Sequence, residues 1–195
     1  MSLAARVQHR LMDYYGLDAL PGVDSFLVLG QARERLIIWQ KDDAVELALQ
    51  LPTAATGTCG PVVLDGLCQL VEGVSHFVLV AERARRELPT TQLELELQAE
   101  IDKFVILSGA AGDGVPDLPA VRAMRSRLFD GVRFIHPRGT VKGDRYRLAH
   151  RLALQMVTVF ERKYVARAQV AEMRRALRSF YRLGQTAKLS FAAAA

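Results

Sequence analysis

Apolar and polar positions repeat with a helical period along most of the chain and with a strand period over one stretch near its start. Ala4–Tyr15 places Val7, Leu11 and Tyr14 or Tyr15 on one helix face, and Gly16 and the Pro21-Gly22 pair stop it. Three strand-like runs follow, Ser25–Leu29, Arg35–Gln40 and Val45–Leu51. In the third, Val45, Leu47, Leu49 and Leu51 alternate with Glu46, Ala48 and Gln50, the period of a sheet with one covered face. Gly30-Gln31-Ala32 and Lys41-Asp42-Asp43 are short enough for hairpin loops, so the expected topology is an antiparallel meander.

Beyond the strands the period returns to that of helices. Val62–Leu88 puts Leu64, Leu67, Val71, Val74 and Val78 on one side and Asp65, Gln69, Glu72, His76, Arg83 and Glu87 on the other. Pro89-Thr90-Thr91 breaks it. Thr91 and Glu94 have the spacing of a capping box for a next helix to about Ser108, with Leu93, Leu97, Ile101, Phe104 and Leu107 inward. The short connection predicts that these two helices form an antiparallel hairpin. Further helices are predicted over Ala120–Phe129, from an Asp144 cap to Tyr164, and over Arg167–Leu183, before a fraying alanine tail at Phe191–Ala195.

The expected fold is therefore α+β and mostly α: an N-terminal helix and three-stranded antiparallel meander, then a bundle of about five helices. Pro52–Pro61, rich in Thr, Gly and Pro, is the expected seam. It separates a helix-plus-meander module over 1–60 from a helical bundle with an Arg-rich C-terminal third over 61–195, the two forming one compact unit.

Composition adds constraints. At 195 residues, 50% hydrophobic and 24% charged, the chain is globular in type. It has no apolar run of 18 residues; the best, Val74–Ala81, is too short to span a bilayer, so no membrane insertion is expected. The charged N-terminal sequence lacks the apolar stretch of a secretion signal, and the 2 cysteines make no disulfide framework, so the expected location is cytoplasmic.

Charge is unevenly spread. Met1–Val121 holds 9 Lys+Arg against 17 Asp+Glu, a net of −8, and Arg122–Ala195 holds 17 against 4, a net of +13. Arg outnumbers Lys 21 to 5, which favours forked recognition of phosphate or carboxylate, although an Ala/Leu/Arg-rich composition also follows from a GC-rich genome. On the last predicted helix Arg167, Arg174, Arg178 and Arg182 share a side opposite the apolar one, with Arg175 adjacent and Arg122, Arg125 and Arg133 upstream. Such a stripe suits an acidic protein surface or a nucleic-acid backbone, and no helix-turn-helix, zinc-finger or RNA-recognition motif accompanies it. The competing reading is that the acidic and basic parts neutralise each other.

Two other constellations touch on chemistry. Glu72 and His76, and Glu96 and Glu100, are four apart on their helices, the arrangement of carboxylate metal sites in bundles. Against a metal, Glu72 and His76 fall on the polar side, where solvent is the expected neighbour. Glu100 falls inside the apolar stripe and must find a cation or a hydrogen-bond donor, an Arg of the basic third being the expected partner. Cys59, in the loop before the long helix, matches no cysteine-hydrolase signature and has no base assigned to it, so no catalytic residue is expected.

The favoured reading is a non-enzymatic binding or adaptor protein, without cofactor, that holds an anionic partner through the Arg-rich region. The alternative is a metal-binding or enzymatic helical protein using Glu72, His76, Glu96 and Glu100.

Overall fold

Seven α-helices and three strands follow one another in a computed structural model that describes residues 1–30, 33–41, 44–52, 64–110, 114 and 116–194. They divide between two compact units, Met1–Pro89 and Thr90–Ala195. The seam expected near residue 60 lies outside the described residues.

In the first unit, helix α1 (Leu3–Tyr15) starts at Ser2, whose Oγ accepts the Ala5 N–H at 3.0 Å. Leu11, Tyr14 and Tyr15 are buried on the face the period assigns inward. Gln8, also buried, fastens the following turn: its Nε2 donates to the Pro21 carbonyl and its Oε1 accepts the Val23 N–H, both at 2.8 Å.

The sheet corrects the expected topology. Strands β1 (Leu27–Leu29), β2 (Arg35–Lys41) and β3 (Ala44–Leu51) lie in the order β1-β3-β2, with β1 parallel and β2 antiparallel to β3. The strand directions are those of a meander, but β3 and not β2 is central. β3 is the longest strand with the fullest apolar alternation, and its Leu49 and Leu51 are fully buried. β1, at three residues, serves only as an edge. Alternation assigns faces; it does not assign neighbours.

Helix α2 (Leu64–Arg85) crosses the covered face. At Gly73 a Cβ would stand 2.9 Å from Leu49 Cδ1 and from Glu34 Cγ, so only glycine permits this approach. Phe77 packs 5.0 Å from Phe26, and Val71, Val74 and Val78 are buried as expected. By length and composition α2 could cross a membrane, yet 61% of its apolar window is buried inside protein, as in a core helix.

In the second unit, helix α3 (Gln92–Leu107) opens with the expected capping box: Thr91 Oγ1 accepts the Glu94 N–H and Glu94 Oε2 accepts the Thr91 N–H. Leu97, Ile101 and Phe104 are buried. Helix α4 (Leu118–Phe129) leads to the long α5 (Val141–Lys163), which packs on α3 and α4 through Ala149, Leu152, Ala153 and Met156. Thr140 and not Asp144 caps α5, accepting the Gly143 N–H at 3.0 Å. Asp144 sits one turn inside and takes the Gly139 N–H.

A short 3-10 turn (Val165–Arg167) precedes α6 (Val170–Arg182), which buries Met173, Leu177 and Phe180. The expected alanine tail is instead helix α7 (Gln185–Ala194), docked on α3, α5 and α6 with Phe191 5.6 Å from Phe180. The second unit thus has five helices, and the described chain seven, one more than expected. α7 escapes periodicity because its inward residues are Ala192 and, against pattern, Lys188.

Candidate functional site

The arginines singled out on the last predicted helix do not share one environment. Arg167, at the end of the 3-10 turn, and Arg175 and Arg182 on α6 are exposed. Arg175 is paired with Glu172 one turn earlier, at 3.0 Å. Arg174 and Arg178 are half-buried and engaged by neighbours, because they flank the row Met173, Leu177, Phe180 and lie along its edge. The stripe is open only at its ends.

Upstream, the exposed Arg122 and the half-buried Arg125 are already paired. Their Nε atoms bond the two oxygens of the buried Glu161 carboxylate at 2.9 and 2.8 Å, joining α4 to α5. The cations that are both accessible and unpaired are others. Arg127, Arg133, Arg138, Lys142, Arg151, Arg162 and Lys163 are exposed and, like Arg167 and Arg182, make no ion pair among the described residues. All nine lie in the second unit, which holds 18 Lys+Arg against 10 Asp+Glu, a net of +8.

Of those acids Glu94, Glu96, Asp102 and Glu161 are buried and Glu100 is half-buried, while Asp117, Asp130, Asp144 and Glu172 are exposed. Glu96 is 7% exposed, with Arg145 Nε at 3.7 Å. Glu100 lies 2.9 Å from Lys103 Nζ and 3.7 Å from His150 Nδ1. Burial acts to raise the Glu100 pKa, but the Lys103 ammonium and the His150 imidazole outweigh it and hold the carboxyl at about 2. The required partner exists; it is a lysine on its own helix and a histidine of α5, not an arginine.

The other two metal candidates are in the first unit. Glu72 is half-buried, and His76, 8% exposed, has Nδ1 3.3 Å from Glu34 Oε1. The solvated face expected for α2 is not found at this end: His76, Glu82 and Arg83 are all buried. Glu82 is held by Arg86 Nε at 2.6 Å and Arg85 Nη2 at 3.2 Å. Cys59 lies outside the described residues.

One polar cluster escaped sequence reasoning. Lys188 of α7 is fully buried, its Nζ 3.0 Å from Gln98 Oε1, and Gln98 Nε2 donates to Asp102 Oδ1 at 2.9 Å. The rings of Phe180 and Tyr181 stand 5.2 and 5.4 Å from the same ammonium. Glu94, Gln98 and Asp102 repeat every fourth residue beside the apolar stripe of α3. That row is the signal, and it reads as a solvated face until α7 covers it.

No protein-family model, no curated protein and no solved structure matches this chain.

Proposed function

We propose that this is a non-enzymatic binding protein whose C-terminal unit holds an anionic partner, an acidic protein surface or a nucleic acid, by electrostatic attraction. One observation carries the reading: nine exposed cations of that unit are left without an ion pair among the described residues, while Glu96, Glu100 and Glu161 are turned inward beside cations of their own. Unpaired surface cations contribute little to stability, so they are available to a partner. The metal or enzyme alternative is less well supported at Glu100, which already faces the Lys103 ammonium at 2.9 Å.

The test uses poly-glutamate and a DNA duplex as separate polyanions, each titrated at several salt concentrations. Binding weakens steeply with salt, and the stronger of the two arms names the partner class. Replacing Arg162, Arg167 and Arg182 together by Gln lowers affinity and, in the DNA arm, reduces the salt slope by roughly one unit per contact removed. Stability changes by only ~0–1 kcal/mol. A variant that melts early, with no salt-dependent binding to lose, makes the charge an internal brace and ends the proposal.

A further inference from the structure

Three of the eight exposed large hydrophobic side chains of the described chain fall within ten residues: Val132 at 41%, Ile135 at 65% and Val141 at 84% exposure. They lie on the connection between α4 and α5 and at the first residue of α5, interleaved with the exposed cations Arg133, Arg138 and Lys142. Apolar side chains left in water beside cations mark a surface that meets something both anionic and apolar.

The segment is built to hold this presentation. Arg147 Nη1 donates to the His136 carbonyl at 2.9 Å and to the Gly143 carbonyl at 2.8 Å, so one nitrogen draws the two limbs together. Thr140 Oγ1 donates to the Pro137 carbonyl at 2.8 Å, and Asp144 accepts the Gly139 N–H at 3.0 Å. Phe134 and His136 turn inward, Phe134 beneath the Arg147 guanidinium (4.6 Å) and His136 stacked on Tyr146 (5.7 Å). Their inward turn sends the intervening Ile135, and Arg133 before it, outward. A Cβ on Gly143 would meet the Pro137 carbonyl at 1.9 Å, so the turn closes on the helix only because that position is bare. The outward side chains are therefore displayed on a fixed frame, which lowers the ordering cost of binding.

We propose that this connection is a peripheral contact with an anionic lipid surface: Val132, Ile135 and Val141 enter the headgroup region while Arg133, Arg138 and Lys142 meet the phosphates. Aliphatic tips flanked by cations favour lipid over protein, since protein interfaces draw their energy mainly from Trp, Tyr and Arg and little from Val. Against nucleic acid, the aliphatic tips would have nothing to do. The inference does not rest on Arg162, Arg167 and Arg182.

The experiment is co-sedimentation of the full chain with vesicles of phosphatidylcholine alone and of phosphatidylcholine mixed with phosphatidylserine. The protein binds the mixed vesicles and not the neutral ones. Arg138→Gln with Lys142→Gln lowers partitioning roughly 30-fold, the effect of two cations near an anionic surface. Ile135→Ser with Val141→Ser lowers it about tenfold and leaves poly-glutamate binding as it was. Arg162→Gln, Arg167→Gln and Arg182→Gln together leave a contact that still depends on Ile135 and Val141, even if poly-glutamate binding is lost. Failure to bind the mixed vesicles overturns the proposal. So does binding indifferent to the Ile135 and Val141 changes, which would be diffuse adhesion. Poly-glutamate binding that falls with those same changes would assign the surface to an acidic protein instead.

Discussion

Glu100 keeps its charge in a place where burial alone would remove it. Its pKa of about 2, against an ordinary 4.5, means the folded chain holds the carboxylate more strongly than the unfolded chain does. A depressed carboxyl pKa contributes stability that is complete above about pH 4.5 and is lost as pH falls towards 2. Glu100→Gln should thus destabilise the protein by roughly 3 kcal/mol at pH 7, leaving Lys103 uncompensated. Denaturant unfolding of both forms from pH 7 to 2.5 checks this: the gap between them narrows below pH 4.5, and a gap independent of pH would deny the ion pair. Phe104, one turn along α3 and 1% exposed, is the apolar counterpart. Phe104→Ala is expected to cost about 3–5 kcal/mol in the same measurement; a loss below about 1 kcal/mol would mean that the site collapses around the missing ring.

At the scale of elements, the tightest packing is the crossing of α2 over β3. Gly73→Ala adds a methyl group 2.9 to 3.0 Å from Leu49, Leu51 and Glu34, and both leucines are fully buried. Overpacking of this kind costs about 1–3 kcal/mol, which outweighs the roughly 1 kcal/mol that alanine gains over glycine in a helix. The melting temperature should fall, and a rise would show that the leucines have room to move. How far such elements are legible in sequence depends on whether they have two unlike faces. α1 and α6 do, and their inward residues were readable, as were the apolar stripe of α3 and its Thr91–Glu94 box. α2 lacks a solvated face at its middle, so a helical wheel placed His76 and Arg83 in water when they are inside. α7 has its one lysine inward and its alanines elsewhere, a pattern indistinguishable from a tail. The order of the sheet depends on which strand competes best for the centre, and no periodicity records that. The site divided in the same way: the charge excess was visible, but which arginines Glu161 and Glu172 would occupy was not.

For the whole molecule, the unit boundary changes the meaning of the charge asymmetry. Cut at Val121, the sequence contrasts −8 with +13; cut at Pro89, it contrasts −3, from 8 Lys+Arg and 11 Asp+Glu, with +8. The difference is the acids of α3 and of the segment after it, which now belong with the arginines. Neutralisation and display are therefore both present within one unit: Glu96, Glu100 and Glu161 are matched inside, and the excess is left on the surface. The carriers of that excess are seven arginines with Lys142 and Lys163, and no histidine is among them. Polyanion affinity at fixed ionic strength should accordingly be level from pH 6 to 9, changing by less than about twofold, because arginine, lysine and glutamate as residue types ordinarily hold their charge over that range. Titrations across that range provide the check. A loss of affinity between pH 6 and 7 would move the binding surface to the histidines.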